Sequence, residues 1–154
     1  MRYQALLLLF AVGSANAATL EVAVSQGSNE PKSYTYQLNG ESQTLDLRDS
    51  TRYTVAVEDK VRKKDICREA EYRTGMVMTI RDVEKPAKGQ YKIELVGQLS
   101  NLKALEEKGK LDCGVNMVPI IENSAFSDSS VIEEGKTKVL VVDEKTTLLL
   151  TIKE

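Results

Sequence analysis

Apolar and polar residues alternate along most of the chain after residue 17, which is the pattern of strands with one buried face. The first such run places Leu20, Val22 and Val24 two residues apart. Turn-forming residues separate these runs at intervals of roughly ten positions. The sequence therefore predicts an all-β fold with a minor α component, namely an antiparallel β-sandwich or partly open barrel of about 8–9 short strands. Similar runs occupy 34–38, 44–47, 53–57, 76–80, 91–95, 111–117, 139–142 and 148–152.

Turn residues between neighbouring runs predict two hairpins. Asn39-Gly40 is a strong signal for a tight hairpin turn, so we expect residues 33–38 to pair with residues 42–47. A second hairpin is predicted for residues 139–152, where two apolar runs flank Asp143-Glu144-Lys145.

Two segments depart from the alternation. Residues 58–73 are dense in charge, and their few apolar residues follow neither the strand period nor the helix period. This segment predicts a solvated loop or a short helix leading into a strand. Residues 100–108 place Leu102 and Leu105 three positions apart among good helix formers. They predict one short helical crossover between the two sheets.

The N-terminal segment has the form of an export signal. A positively charged start precedes an uninterrupted run of apolar or small residues at 5–13, and small residues then suit signal-peptidase cleavage before Ala18. A run of about nine residues makes about 14 Å of helix, roughly half of the hydrocarbon core of a bilayer, so it is too short for a membrane anchor. We expect residues 1–17 to be a cleaved signal peptide. Residues 18–154 then form a single β-sandwich domain that is periplasmic or secreted.

Other features exclude several kinds of partner. No later apolar stretch approaches the length of about 18 residues that a membrane-spanning helix needs, and no cysteine stands at the cleavage point for a lipid anchor. The 21 basic and 23 acidic residues are interleaved, with a formal net charge of −2. This distribution lacks the basic patch of a nucleic-acid-binding protein. We expect no nucleic-acid partner, no membrane span and no lipid anchor.

Cys67 and Cys113 are the only cysteines, and export places them in an oxidising compartment. One intrachain disulfide between them would close a loop of about 47 residues and contribute roughly 4 kcal/mol in the chain-entropy model. The alternatives are a redox-active pair, which usually has the Cys-x-x-Cys spacing, and an intermolecular disulfide. We predict the structural intrachain bond. Because Cys113 shares a phase with Val115 and Met117, we also expect the bond to be buried against the core.

Composition and motifs exclude several chemistries. The chain has no histidine, which rules out Ser-His-Asp catalysis, Cys-His catalysis and His-ligated zinc. It also lacks a G-x-S-x-G elbow, a phosphate-binding loop, a dinucleotide fingerprint and an acidic calcium loop. We predict no catalytic residue, no bound metal and no cofactor. The 23 acidic residues leave open paired carboxylates of the kind that cleave glycosides, but nothing in their spacing singles out a pair.

Residues 67–73 form the densest group of side chains suited to recognition. Arginine and tyrosine are enriched at the energetic centres of protein interfaces, so Arg68, Tyr72 and Arg73 are the candidate partner contacts. In an extended conformation Arg68, Ala70 and Tyr72 share one face, and Arg73 lies on the other. The alternative is that these charges form cross-strand ion pairs on a solvated face. The tyrosines of the chain lie mostly in phase with aliphatic residues, which favours core or rim packing.

These observations favour an exported, non-catalytic module of the bacterial envelope that binds another envelope or secreted protein. It would act as an accessory or assembly factor for a secretion or pilus-type system, or as an inhibitor of a secreted hydrolase. Sheet edges that lack a neighbour can accept a strand from such a partner. The alternatives are a carboxylate-based envelope enzyme, such as a glycan hydrolase, and a carrier that holds a small apolar ligand between the sheets.

Overall fold

A computed structural model describes residues 18–27 and 29–153, so the predicted signal peptide at 1–17 lies outside the described residues. Within those residues the chain forms eight strands and no helix. The strands are β1 (Thr19–Gln26), β2 (Lys32–Gln37), β3 (Gln43–Asp59), β4 (Lys64–Glu84), β5 (Gln90–Leu111), β6 (Gly114–Glu133), β7 (Thr137–Val141) and β8 (Thr146–Lys153).

The strands form two four-stranded antiparallel sheets of very different length. The short sheet has the order β2-β1-β8-β7, and its strands contain 5–8 residues. The long sheet has the order β3-β4-β5-β6, and its strands contain 17–22 residues. The two sheets pack against each other, which confirms the predicted antiparallel β-sandwich.

The hydrophobic core lies between the short sheet and the near half of the long sheet. Leu20 and Leu150 of the short sheet are fully buried, as are Met76 and Ile93 of the long sheet. Alternate residues of a strand point to the same face, so the period-two runs send one apolar set inward from each sheet. The other core residues include Val22, Val24, Tyr36, Leu45, Met78, Ile80, Tyr91, Leu95, Leu99, Ile132, Leu148 and Ile152.

Side-chain contacts connect the edge strands on the two open sides of the sandwich. On one side Lys138 of β7 donates to both carboxylate oxygens of Asp128 in β6, at 2.9 and 2.8 Å, and Ser130 donates to the same carboxylate at 2.8 Å. On the other side the Gln43 side chain at the start of β3 donates to the Gln37 carbonyl of β2 at 2.7 Å. The Lys138 and Gln43 contacts each join a strand of the short sheet to a strand of the long sheet, whereas the Ser130 hydrogen bond lies within β6.

The predicted pairing of residues 33–38 with residues 42–47 is wrong. β2 pairs with β1 and β3 pairs with β4, so the chain passes from the short sheet to the long sheet near Gly40. Gly40 has a φ of 81°, and its N–H donates to the Asp82 carboxylate at 2.8 Å. Two strands joined by a tight turn either pair within one sheet or lie in opposite sheets. Both arrangements bury the same alternating residues, so the pattern does not distinguish them. The C-terminal hairpin is confirmed, since β7 pairs with β8.

The predicted helical crossover at 100–108 is also wrong, because these residues continue β5. The pairing of β5 with β6 shifts by one residue between Leu102 and Ala104. As a result, Leu102 lies opposite Ile121 and Leu105 lies opposite Pro119, which are two positions apart on β6. A β-bulge therefore places residues three apart on the same face of a strand, which imitates the spacing expected of a helix.

The charged segment at 58–73 is neither a loop nor a helix over most of its length. β3 runs to Asp59, a turn occupies residues 60–63, and β4 begins at Lys64. The Asp59 carboxylate accepts from the backbone N–H groups of Val61 and Arg62 at 3.0 and 3.1 Å, which fixes the turn. Four strands are consequently much longer than predicted, because several polar stretches that resemble turns lie inside continuous strands.

Candidate functional site

The far half of the long sheet divides into two hairpin arms. The pairing of β4 with β5 ends at Gly75 and Ser100, whereas the pairing of β3 with β4 and of β5 with β6 continues to the hairpin ends. The first arm contains residues 49–74, and the second arm contains residues 101–122. About eleven residues per strand give each arm a length of roughly 35 Å. The arms extend beyond the part of the long sheet that the short sheet covers.

The disulfide joins the two arms near their ends. The pairing of Cys67 with Cys113 is confirmed, with a distance of 5.9 Å between the Cα atoms. Two hydrogen bonds accompany it: the Ala56 N–H donates to Asn116 Oδ1, and the Asp112 N–H donates to Asp65 Oδ2, each at 3.1 Å.

The bond is not buried against the core, contrary to the prediction. Cys113 lies exposed in the turn between β5 and β6, and Cys67 is half-buried in β4. The prediction was wrong because it rested on the phase that Cys113 shares with Val115 and Met117. Those residues belong to an arm and not to the sandwich. The bond therefore restrains the arms and leaves the packing of the core unchanged.

One face of the first arm continues the core face of the long sheet. Leu47 and Met76 form a cross-strand pair in or beside the core, and the same register continues along the arm. Paired residues of an antiparallel ladder share a face, so successive pairs two residues apart lie on this one surface. We call it the tyrosine face. Its pairs are Thr51 with Tyr72, Tyr53 with Ala70, Val55 with Arg68, and Val57 with Ile66.

In the part of the chain that the structure describes, the aromatic and aliphatic residues of the tyrosine face have no sheet opposite them. The rings of Tyr53 and Tyr72 lie 5.8 Å apart at an angle of 49°, which is a favourable tilted contact. Val57 and Ile66 remain 43% and 39% exposed. In the core, the short sheet covers residues of this phase, but its strands are too short to reach the arm. The surface therefore carries the pattern of an interior face in a solvent-exposed position.

The predicted contact residues divide between the two faces of the arm. Arg68 and Tyr72 lie on the tyrosine face, and Arg73 lies on the opposite face, where it forms an ion pair with Glu71 at 3.9 Å. The sequence reasoning assigned Tyr53 only to core or rim packing. Its phase with Val55 was the available signal, but alternation alone does not show where the covering sheet ends.

The charge-pairing alternative accounts for the opposite face. There Arg52 and Glu69 lie 3.7 Å apart, in addition to the pair formed by Arg73 and Glu71. These groups are well exposed, so each ion pair contributes little to stability. Ion pairing therefore characterises the opposite face near Arg52 and Arg73, whereas nearer the disulfide the same face buries Ala56. Apolar exposure characterises the tyrosine face.

A cleft of about 790 Å³ lies where the two arms meet the sandwich. We call it the junction cleft. Thr74, Gly75 and Ser100 line it at the fork of the long sheet, and the turn between β7 and β8 borders it from the short sheet. The described residues that line it are Gln26, Gly27, Asp49, Thr74, Gly75, Leu99, Ser100, Asn101, Leu102, Lys103, Glu122, Ser124, Asp143, Glu144, Lys145 and Thr146.

Acidic residues outnumber basic residues around the junction cleft. Lys103 and Glu122 form an ion pair at 2.6 Å, which also raises the pKa of Lys103. Burial opposes ionisation of Asp143, but hydrogen bonds from Lys145 and Thr146 outweigh it, and the pKa of Asp143 is lowered. Asp49 and Glu144 are exposed and contribute further negative charge. The cleft therefore presents a polar surface with an excess of carboxylates.

Other displaced pKa values reflect local contacts away from the cleft. The Arg48 side chain binds the Asp46 carboxylate at 2.6 and 2.8 Å and lowers the pKa of Asp46 to about 2. The Lys153 ammonium similarly lowers the pKa of Glu21. Burial raises the pKa of Tyr36 to about 12, and its hydroxyl has no hydrogen-bond partner within the described structure. None of these groups contributes to the tyrosine face.

Residues 18–27 and 29–153 contain no helix able to cross a membrane. Nor do those residues bring together three or more cysteine or carboxylate side chains in an arrangement suited to a metal ion.

No family model matches the chain, and comparison with curated proteins and with solved structures also gives no match. The arms, the tyrosine face and the junction cleft are therefore the basis on which a function is inferred.

Proposed function

We propose that this protein is an exported, non-catalytic binding module of the bacterial envelope, and that its tyrosine face contacts another envelope or secreted protein. The observation that carries the proposal is that this face continues the core phase of the long sheet beyond the reach of the short sheet. A partner that covers the face would complete the interior pattern.

The residue types on the face suit this role. Tyrosine and arginine contribute disproportionately to protein interfaces, and Tyr53, Tyr72 and Arg68 lie together on neighbouring strands. The contact between the two rings limits their conformational freedom before binding, which lowers the entropy lost on association. The disulfide holds the arms in one arrangement and further restricts the surface. It also supports export, because such bonds persist in oxidising compartments.

The test compares recovery of partners by surface variants. The oxidised protein that begins at Ala18 is immobilised and exposed to an envelope extract, alongside Tyr53→Ser/Tyr72→Ser. Val96→Ser is the matched control, because Val96 is an exposed apolar residue elsewhere on the long sheet. Thermal unfolding verifies that each variant is folded.

We expect the unaltered protein and Val96→Ser to retain the same protein, and the double tyrosine variant to lose it. Retention by the tyrosine variant, or recovery of no protein by the unaltered chain, would contradict the proposal. Once the retained protein is identified, its role separates an assembly factor from an inhibitor of a secreted hydrolase. In the second case, the added protein lowers the turnover of that hydrolase.

A further inference from the structure

The tyrosine face and the junction cleft form one continuous surface. Asp49 and Thr74 are a cross-strand pair that lines the cleft, and the next pair in phase, Thr51 with Tyr72, begins the tyrosine face. The surface from Asp49 to Val57 spans nine residues of β3, or roughly 30 Å, and is two strands, or about 10 Å, wide. It is therefore long and narrow.

These dimensions indicate the size of the occupant. The surface covers about 300 Å², compared with roughly 800 Å² on each partner in a stable interface between two folded proteins. A second copy of this chain would need a much larger contact. A single extended segment of about seven to nine residues matches the length and width of the surface.

The free edge of β4 supplies backbone groups for such a segment. Between the disulfide at Cys67 and the fork at Gly75, β4 pairs with β3 on one side. On the side towards β5 it has no strand partner among the residues that the structure describes. An unpaired edge accepts an added strand through backbone hydrogen bonds, and alternate side chains of the added strand then extend one face of the sheet. A strand added to this edge extends the tyrosine face beside Tyr72 and Arg68.

The charge of the junction cleft indicates what the segment carries at one end. Asp49 and Glu144 are exposed carboxylates, and the low pKa of Asp143 keeps that group ionised as well. Two lysines also line the cleft: Lys103 is paired with Glu122, and Lys145 offsets part of the remaining negative charge, so four carboxylates face two ammonium groups. A lysine or arginine side chain in the cleft would meet opposite charge in a partly enclosed site, where the attraction is stronger than on open surface.

We propose that the segment recognised by the first arm is an extended strand of the partner that adds to the free edge of β4, places apolar side chains beside the tyrosine face and inserts a basic end into the junction cleft. This inference rests on the proposed function and specifies the chemistry of the partner. Recognition then has two parts, a backbone contact that tolerates many sequences and a charge that selects among them.

The test uses synthetic probes with the oxidised protein that begins at Ala18. Each fluorescein-labelled probe is a nine-residue peptide of alternating valine and threonine, with two lysines added at one end. One version carries them at the N-terminus and another at the C-terminus, because the added strand has either direction. Matched probes carry two glutamates instead, and fluorescence anisotropy measures binding.

We expect one of the lysine probes to bind saturably and at least roughly tenfold more tightly than its glutamate counterpart. Asp49→Asn/Glu144→Gln should abolish this preference. Glu69→Gln/Glu71→Gln is the charge-matched control, because it removes two carboxylates from the opposite face of the same arm, and it should keep the preference. Methylation of alternate backbone nitrogens in the lysine probe should prevent binding if the strand pairs with β4.

Equal binding of the lysine and glutamate probes would overturn the inference, as would an unchanged preference in the Asp49 and Glu144 variant. Absence of binding by every probe at millimolar concentration would also overturn it. A concentration-dependent dimer that Tyr72→Ser abolishes would identify a second copy as the occupant instead. If the envelope extract yields a partner through the tyrosine face while the probes fail, the segment model is wrong and the binding function stands.

Discussion

Removal of the disulfide separates the contribution of the arms from that of the core. We consider Cys67→Ser/Cys113→Ser, in which both cysteines are replaced so that no free thiol forms an intermolecular bond. The bond spans 46 positions in the sequence, and the chain-entropy model gives about 4 kcal/mol for a loop of about 47 residues. The free energy of unfolding of an ordinary domain is about 5–15 kcal/mol, so this loss is a large share of it. The variant remains folded unless the protein lies at the low end of that range.

The position of the bond predicts where the change is felt. Because the bond joins arm to arm, local opening of the arms becomes easier, whereas the contacts of Leu20 and Leu150 in the core do not change. Urea denaturation should show an unfolding free energy lower by about 2–5 kcal/mol. Hydrogen exchange should show the greatest loss of protection at amides that connect the arms, such as those of Ala56 and Asp112.

Val61→Ser is a suitable control, because Val61 is almost fully exposed at the end of the first arm and makes no core contact. It should leave both measurements unchanged. A loss below about 1 kcal/mol in the disulfide variant, or arm amides that exchange as slowly as before, would refute the reasoning. Two free thiols in the protein purified under oxidising conditions would refute it more directly.

Three further predictions concern the fork, the edge contact and the N-terminus. Gly75→Ala should lower the free energy of unfolding by about 2 kcal/mol or more, as measured by thermal unfolding. Gly75 has a φ of 118°, and an added Cβ would lie 2.5 Å from the Leu47 carbonyl oxygen. Unchanged stability would contradict this. Burial opposes ionisation of Asp128, but hydrogen bonds, chiefly from Lys138, outweigh it and lower the pKa of Asp128. Its stabilising contribution is therefore complete above the ordinary pKa of about 4 and declines as the pH falls through the lower folded value. Asp128→Asn should lower the unfolding free energy at pH 7 by about 1–3 kcal/mol and remove that part of the acid dependence, as measured by denaturation across a pH series; a parallel loss at every pH would contradict it. Intact mass of the exported protein should correspond to a chain beginning at Ala18, and a mass that includes residues 1–17 would contradict cleavage.

Alternation in the sequence predicted the sandwich well, because it records which residues of a strand are buried. The runs around Leu20, Met76 and Leu148 each enter the core in the predicted phase. The disulfide was also predictable, since two cysteines in a chain that is predicted to be exported have few other fates. These features depend on local pattern or on composition, both of which a single sequence contains.

Features that depend on neighbours in space were less accessible. The register shift near Leu102 gave a helical spacing to a strand, and the turn at Gly40 joined two sheets where a hairpin was expected. Cys113 had the phase of a core residue although it lies on an arm. In each case the sequence shows which side chains share a face. It does not show which strand or sheet lies opposite that face.

The inward position of Lys138 affects the tendency of this protein to self-associate. β7 is an edge strand, and Val139 and Val141 are 57% and 67% exposed on its outer face, a combination that favours edge-to-edge aggregation. Lys138 directly precedes Val139 and points to the opposite face of β7, towards Asp128. A foreign strand that lengthened the short sheet at β7 would have to approach this ionised pair and displace its remaining water. Self-association is thereby discouraged at β7.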